Sequence, residues 1–370
     1  MLERFLVPEK DRVYIKFENI SEATTQIFKK MGLSNQDAEL STKVLLTSDL
    51  RGCETHGVSN MLRKYVSDYG SDDMNPNPNI SITRETDVTA NIDGDEALGL
   101  HVLPKAMDLA IEKSEKHGTG TVVVHNSRHI GMLAYYSMMP IKNDMIGLCI
   151  TAGNAMSMVP TFASKMRFAT NPWSYAVPAG DMPDFVFDVA TTQVAGNKLS
   201  LASRVNAPIE PGWISDSDGT PIMKEMLLPE NSNDLGQQMM LPMGGTREQS
   251  SHKGYGFAAV AEILCDILSG MTAGFLMPSH PRGIMSHFVQ AIRIDAFSEV
   301  TNFKKNMDDM LRGLVETPPA PGQDKVIYPG LPEHNEVNKR MKEGIPYHFE
   351  VINWFESIKN ELGLDYDLQN

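Results

Sequence analysis

Cysteine is scarce in this chain, and its three residues stand far apart. Cys53, Cys149 and Cys265 lie in apolar segments, and no two of them form a close pair. Closely spaced cysteines would predict a disulfide framework of the kind that small secreted proteins use. Isolated cysteines instead predict buried thiols in a reducing compartment. Because Met1–Arg12 is charged throughout and does not resemble a signal peptide, we expect a cytoplasmic location.

Long apolar runs and basic clusters are also missing. No apolar run approaches the roughly 20 residues that cross a bilayer, so a membrane partner is not expected. The formal net charge is −14, and an acidic surface repels nucleic acids, so nucleic acid is not expected as a partner either. An anionic substrate would need local cations to oppose this charge.

Motifs of several common enzyme classes are absent. No GxGxxG follows a predicted strand, which argues against a Rossmann fold, and neither a P-loop nor a GxSxG nucleophile elbow occurs. His125 and His129 are four residues apart, as two metal ligands on one helical face would be. However, HExxH is missing and the segment is typical of a loop. A metal centre is therefore not expected.

The patterns that are present predict a mixed α/β protein. Helical periodicity dominates residues 1–78, strand-like runs with two apolar helices occupy 79–300, and helices return in 301–370. The early strands follow one another too closely for parallel crossovers, which need about a dozen residues, so the sheet should be mixed. The last strand-like run is Val326–Tyr328. We expect the C-terminal helices to pack back on the N-terminal ones.

Two polar loops between apolar elements carry histidine. The strand-like run Thr121–Val124 leads into a polar cluster that contains His129, and Gly131 then opens a helix-like segment. His56 lies in the loop 49–58 (DLRGCETHGV), which is polar, contains two glycines and separates two predicted helices. Lys253 begins a further apolar helix with KGYG, where the glycines suit a phosphate site and close helix packing equally.

Seven segments, taken together and in order, resemble the malate/L-lactate dehydrogenase family that does not use the Rossmann fold. Relatives in that family include ureidoglycolate, sulfolactate, diketogulonate and cyclic-imine oxidoreductases. The segments are DLRGCETHGV (49–58), NIDGDEALG (91–99), NSRHIGMLAYY (126–136), TNP (170–172), DVATTQVAGNK (188–198), KGYG (253–256) and Pro329–Gly330. The resemblance implies an oxidoreductase that uses NAD or NADP to interconvert a 2-hydroxy acid and a 2-oxo acid. It also implies a homodimer whose cofactor binds a largely antiparallel sheet near the subunit interface.

The resemblance also assigns site residues. It gives the acid/base role to His56 in some members and to His129 in others, and it makes Thr170 a substrate contact. Its cofactor contacts fall on four segments, which comprise His129, Ile130, Gly131, Met132 and Leu133, then Asp188, Val189 and Ala190, then Lys253 and Gly254, and finally Pro329 and Gly330.

Three positions depart from the family pattern. Asn60 stands where an arginine is frequent, four residues after the first histidine. Met132 and Leu133 replace small residues, which would tighten the cofactor site. Lys198 stands where some members carry an acidic partner for the histidine, which puts a charge relay in doubt.

The chemistry of hydride transfer gives these residues roles. A histidine titrates near neutral pH and can both give and take the hydroxyl proton. We favour His56 as the proton donor, because His129 is predicted to begin a helix whose dipole would disfavour its protonated form. A substrate carboxylate favours the forked donors of arginine. Arg51 and Arg63 flank His56, and we expect Arg63 to replace the arginine that is missing at position 60.

Two alternatives stay open at this point. One is a reductase of a cyclic imine or a keto-sugar acid on the same scaffold. The other is a binding paralogue without catalytic activity, for which Asn60 is the motivating feature.

Overall fold

The computed structural model describes residues 6–71, 73–228, 239–278 and 283–369. The helices are α1 (Phe17–Lys30), α2 (Asn35–Leu50), α3 (Val58–Gly70), α4 (Gly99–His117), α5 (Ala134–Met138), α6 (Gly196–Arg204), α7 (His252–Glu262), α8 (Val300–Val315), α9 (Leu331–Glu343) and α10 (Phe349–Leu362). The strands are β1 (Arg12–Ile15), β2 (Ser81–Glu85), β3 (Thr89–Asp93), β4 (Thr119–Ser127), β5 (Met145–Gly153), β6 (Trp173–Val177), β7 (Phe185–Val189), β8 (Ile214–Ser215), β9 (Met239–Met240), β10 (Met285–Arg293) and β11 (Ile345–His348).

A seven-stranded mixed sheet forms the centre of the described structure. Its strands lie in the order β2-β3-β4-β10-β5-β6-β7. Strands β3 and β4 run parallel and are joined through α4, whereas the other neighbouring pairs of this sheet are antiparallel. The predicted mixed, largely antiparallel and non-Rossmann sheet is therefore confirmed.

Alternate side chains of β4 pack against helices on opposite faces of the sheet, as the period of a strand requires. Val122 and Val124 belong to a large core cluster that includes residues of α4. Val123 belongs to a separate cluster with Ala261 of α7. Each such buried aliphatic side chain contributes about 1.5–3 kcal/mol. The sheet is thus covered on both faces, which explains why β4 reads as a continuous apolar run.

The helical part is built from both ends of the chain. Strand β1 pairs antiparallel with β11, so that Arg12 lies opposite His348. Phe355 of α10 shares one core cluster with Ile20 of α1. This confirms a helical layer made from the N- and C-terminal parts. Among the described residues, no helix combines the length and apolar character that a bilayer span needs.

Two local expectations were wrong. The predicted strand Val326–Tyr328 pairs with no strand of the described structure, because Tyr328 instead packs beside Leu311 and donates its hydroxyl to Pro183 O at 2.8 Å. The helix expected directly after Gly131 begins at Ala134 and has only five residues. His129 therefore does not begin a helix.

Candidate active site

The two predicted catalytic histidines lie side by side. The ring centroids of His56 and His129 are 5.9 Å apart, and the ring planes meet at 11°. Both residues are half-buried. Burial lowers the pKa of His56 to about 4. Burial also lowers the pKa of His129 well below its usual value, and the neighbouring His56 lowers it further. Both imidazoles are therefore neutral near pH 7 in the free protein.

A buried carboxylate holds the loop that carries His56. Asp49, near the end of α2, accepts the Val58 N–H at 2.9 Å and the Tyr347 hydroxyl at 3.0 Å. Burial raises the pKa of Asp49 to about 7. A Cβ on Gly57 would lie 1.8 Å from Asp49 Oδ1, so a glycine is required beside His56 for this carboxylate to reach the start of α3.

A second anchor of the same loop is the buried ion pair between Glu54 and Arg340, with Oε1 and Nη2 3.3 Å apart. Asn60, the first departure from the family pattern, donates its Nδ2–H to Glu54 O at 2.6 Å. It thereby stabilises the 3₁₀ turn Glu54–His56. Asn60 therefore has a structural role in this chain, which accounts for its presence at this position.

His129 is held by two groups that sequence reasoning did not assign to the site. Tyr65 Oη lies 2.7 Å from His129 Nδ1, and the Gly131 N–H donates to the same nitrogen at 3.2 Å. The expected helix dipole is not the reason for the lowered pKa, because α5 begins only at Ala134. The cause is burial. Tyr65 appears in the sequence as one apolar position of an amphipathic helix, so no local signal marks its hydroxyl.

Asp188 lies in β7, one residue before its end. Its Oδ2 accepts the Ala134 N–H at 2.7 Å. The residue is solvent-accessible, yet the surrounding protein raises its pKa to about 6. The charge of Arg51 opposes this rise in pKa and that of Glu333 adds to it, so both side chains lie close enough to act on this carboxyl.

Three of the four predicted cofactor segments meet at β7. The segment 129–133 lies beside Asp188, since Asp188 also accepts the backbone N–H of Leu133. The loop 329–330 joins them because the Val186 N–H donates to Pro329 O at 3.1 Å. Gly330 has φ +98°, and a Cβ there would lie 2.8 Å from Val186 N. Glycine is required at this position on both grounds.

The fourth segment, 253–254, is connected to the end of β7 by a series of backbone contacts. A Cβ on Gly254 would lie 2.4 Å from Met243 N, and the Met243 N–H donates to Thr191 O at 2.8 Å. Thr191 donates its N–H and its hydroxyl to Thr170 O, each at 2.9 Å. Thr170 and the start of α7 therefore lie beside the residues that follow β7. The side chain of Lys253 is exposed in the first turn of α7.

The apolar side chains within segment 129–133 serve mainly the core. Ile130, Met132 and Leu133 expose 1%, 5% and 3% of their surface. Met132 packs with Ala176 and Val186. Contacts of this segment with a ligand would therefore come from its backbone and from His129.

Arg63 has partners within the chain. Its Nη1 lies 3.1 Å from Glu350 Oε1, and its Nη2 donates to the backbone O of Glu350 at 3.1 Å. Its guanidinium carbon lies 5.5 Å from the ring centroid of Trp354. The side chain links α3 to α10, whereas we expected its donors to be directed at a substrate. Lys198, the third departure from the family pattern, lies 5.2 Å from the Trp213 ring centroid.

The family model for malate/L-lactate dehydrogenase matches residues 15–356 of this chain. A malate dehydrogenase of Pyrococcus abyssi is 33% identical over 98% of this chain and 99% of its own length. An L-sulfolactate dehydrogenase of Methanocaldococcus jannaschii is 32% identical over 95% of this chain and 98% of its own. The structure of a malate dehydrogenase from Entamoeba histolytica superimposes with a TM-score of 0.89, at 28% identity, over 96% of this chain and 99% of that one.

The fold, the paired histidines and these similarities define a dehydrogenase that interconverts hydroxy acids and oxo acids. Such enzymes use a nicotinamide cofactor. The chain belongs to the malate/L-lactate dehydrogenase family.

Proposed function

We propose that this protein is an NAD- or NADP-dependent dehydrogenase of a dianionic 2-hydroxy acid such as malate, with His56 and His129 beside the reacting carbon. The observation that carries the proposal is the pair of neutral imidazoles 5.9 Å apart, in a protein whose relatives are named for malate and sulfolactate. Both of those substrates carry two anionic groups. The cyclic-imine alternative has less support, because these relatives are named for hydroxy acids.

The residues around β7 fit a nicotinamide nucleotide. Asp188 offers a solvent-accessible carboxylate that would accept hydrogen bonds from hydroxyl or amide groups. Lys253 offers an exposed ammonium group in the first turn of α7, where a helix N-terminus also favours anions such as a pyrophosphate. The backbone of segments 129–133, 188–190 and 329–330 would complete the binding surface. When bound, the cofactor supplies or accepts the hydride.

The side chains of the protein then have to transfer one proton and bind the substrate carboxylate. In the reduction of an oxo acid, His56 would donate the proton that the oxygen gains, and in the oxidation it would take that proton back. A bound anion next to the imidazole favours its charged form and so raises its pKa from about 4 towards the working range. His129 would stay neutral and donate a hydrogen bond to the same oxygen.

The substrate carboxylate would be held by arginine. Arg51 is largely buried, and its charge acts on Asp188 among the residues proposed for the site. Arg63 shares Glu350 with Arg204 and would reach an anionic substrate only by leaving that ion pair. We therefore assign the carboxylate next to the reacting carbon to Arg51, with Thr170 as an additional contact.

We also propose a homodimeric assembly and a cytoplasmic location. The exposed apolar side chains on one side of α7 and its continuation, which are Phe257, Val260, Ile263, Ile267 and Leu268, would be covered by a second copy of the chain in a homodimer. The three cysteines are free thiols, which fits a cytoplasmic protein.

The test is an absorbance assay at 340 nm with NADH and NADPH against oxaloacetate, pyruvate, sulfopyruvate and a cyclic imine. We expect the dianionic oxo acids to have the highest kcat/KM. We expect His56→Gln to lower kcat by at least about 100-fold, the range of general acid catalysis. His129→Gln should lower kcat less. The reverse order of the two variants would exchange the roles of the histidines, and no turnover of any acid would favour a binding paralogue.

A further inference from the structure

Tyr65 is a buried phenol that contacts the proposed site from α3. Its hydroxyl lies 2.7 Å from His129 Nδ1, and only 1% of the residue is exposed. Water therefore does not compete for this contact. Buried tyrosine hydroxyls usually find a hydrogen-bond partner, and the partner here is an imidazole nitrogen of the proposed active site.

A second donor faces the same nitrogen. The Gly131 N–H donates to His129 Nδ1 at 3.2 Å, and a backbone N–H cannot reverse its role as a hydroxyl can. A nitrogen that accepts this bond carries no proton of its own. The ring proton of neutral His129 is then on Nε2, and Tyr65 acts as the second donor to Nδ1.

We propose that Tyr65 is a positioning residue that, together with the Gly131 N–H, fixes His129 as the neutral tautomer with its proton on Nε2. The proposal rests on the proposed function in one respect, namely that His129 contacts the substrate. A fixed Nε2–H is a permanent donor for the substrate oxygen. The other tautomer would present a lone pair there and would repel that oxygen.

The charged surroundings of His129 favour the same state. Burial is the main cause of its lowered pKa, and the ammonium group of Lys64 adds to it, because a positive charge repels an imidazolium. Burial raises the pKa of the Tyr65 phenol, and the carboxylate of Asp68 raises it further. Tyr65 therefore remains a neutral donor over the whole working range of pH.

The chain provides a matched control on the same helix. Tyr69 lies one turn further along α3 and is also buried, but its hydroxyl has no hydrogen-bond partner among the described residues. The variants Tyr65→Phe and Tyr69→Phe each remove one buried oxygen from α3. Only the first removes a contact with His129.

The first measurement is ¹⁵N NMR of the histidine-labelled full chain, with His129 assigned by comparison with His129→Gln. We expect the wild type and Tyr69→Phe to show a protonated Nε2 and an unprotonated Nδ1. Tyr65→Phe should show a mixture of tautomers, and its His129 should titrate at a higher pH. An Nδ1–H tautomer in the wild type, or an unchanged spectrum and titration in Tyr65→Phe, would overturn the proposal.

The second measurement is turnover of the best 2-oxo acid. We expect Tyr65→Phe to lower kcat about tenfold, the effect of roughly one hydrogen bond, while cofactor affinity stays within twofold and Tyr69→Phe matches the wild type. A tautomer change without a loss of kcat would overturn the positioning role. The NMR measurement needs no substrate, so a failure of the proposed function would appear only in turnover.

Discussion

Arg51 and Arg63 are the two arginines nearest in sequence to His56, and their environments differ. Arg51 is largely buried, and its Nε has no hydrogen-bond partner among the described residues. Arg63 is paired with Glu350 and is partly exposed. An exposed ion pair contributes little to stability, whereas a forked contact with a substrate carboxylate contributes strongly to transition-state binding.

We expect Arg51→Ala to lower kcat/KM by about 30-fold or more, because the loss of such a contact costs about 2–4 kcal/mol. Arg63→Ala should stay within about fivefold and serves as the control. The measurement is kcat/KM for the best 2-oxo acid, with thermal unfolding recorded for both variants. If Arg63→Ala loses more activity than Arg51→Ala while both remain folded, Arg63 is the carboxylate anchor.

At the scale of single residues, the sequence predicts which side chains lie in polar loops but not which partners they contact. His56 and His129 could be chosen because polar loops between apolar elements are visible in a sequence. Tyr65 could not be chosen, because its apolar position on a helix does not show which group its hydroxyl contacts. The partner of Arg63 could not be found either, since Glu350 lies 287 residues away along the chain.

At the scale of elements, α7 and its continuation stand out for an exposed apolar side. Phe257, Val260 and Ile263 lie on this side, and Ile263 and Ile267 belong to a π-helical turn. Contiguous exposed apolar surface of this kind marks an interaction site. Since the residues proposed for the cofactor begin at the N-terminus of the same helix, subunit association and cofactor binding would depend on one element.

We expect the variant with Ile263→Asp and Ile267→Asp to be monomeric, because two buried carboxylates would oppose association. The matched control changes Met310 and Leu314 of α8 to Asp, which are also exposed and also four residues apart. Light scattering coupled to size exclusion measures the mass of each. A dimer in the first variant, or a monomer in the wild type, would remove α7 from the interface.

Elements with a strong local pattern could be predicted, and short elements could not. The strand-like run Thr121–Val124 lies within β4, and the loop that carries His56 separates α2 from α3, as predicted. Strands β1 and β11 have four residues each and pair across more than 300 positions, so neither has a local signal. The run Val326–Tyr328 has strand-like residues but no neighbouring strand, because tertiary contacts of Tyr328 determine its conformation.

At the scale of the whole molecule, buried histidines make stability depend on pH. His101 is fully buried between α4 and α2, where its Nδ1 lies 3.3 Å from Ser41 Oγ. Burial lowers the pKa of His101 to about 4 and that of His287 to about 3. A histidine in the unfolded chain titrates near 6.5. The contribution of each to stability is therefore present above about pH 6.5 and is lost as the pH falls towards the folded pKa.

We expect the loss of unfolding free energy between pH 7 and pH 5 to be smaller in His101→Gln than in the wild type, by about 2 kcal/mol. The variants are compared with the wild type because Asp49, whose pKa is raised to about 7, favours the folded state as the pH falls. Its effect opposes that of the buried histidines and is present in every variant. His117→Gln, at the exposed end of α4, should keep the wild-type difference. Urea unfolding at pH 7 and at pH 5 measures the unfolding free energy of each variant. Equal losses in His101→Gln and the wild type would contradict the expectation.

Strand β10 has a central place in the sheet but a late place in the chain, and this order matters during synthesis. Strand β10 lies between β4, which ends at Ser127, and β5, which ends at Gly153. At about 5–20 residues per second, a ribosome needs about 10–30 s to pass from Ser127 to Arg293. During that time β4, and from Gly153 onwards also β5, lacks the strand that pairs with one of its edges. Until its central strand emerges, the nascent chain therefore presents two strand edges to which a second nascent chain could add.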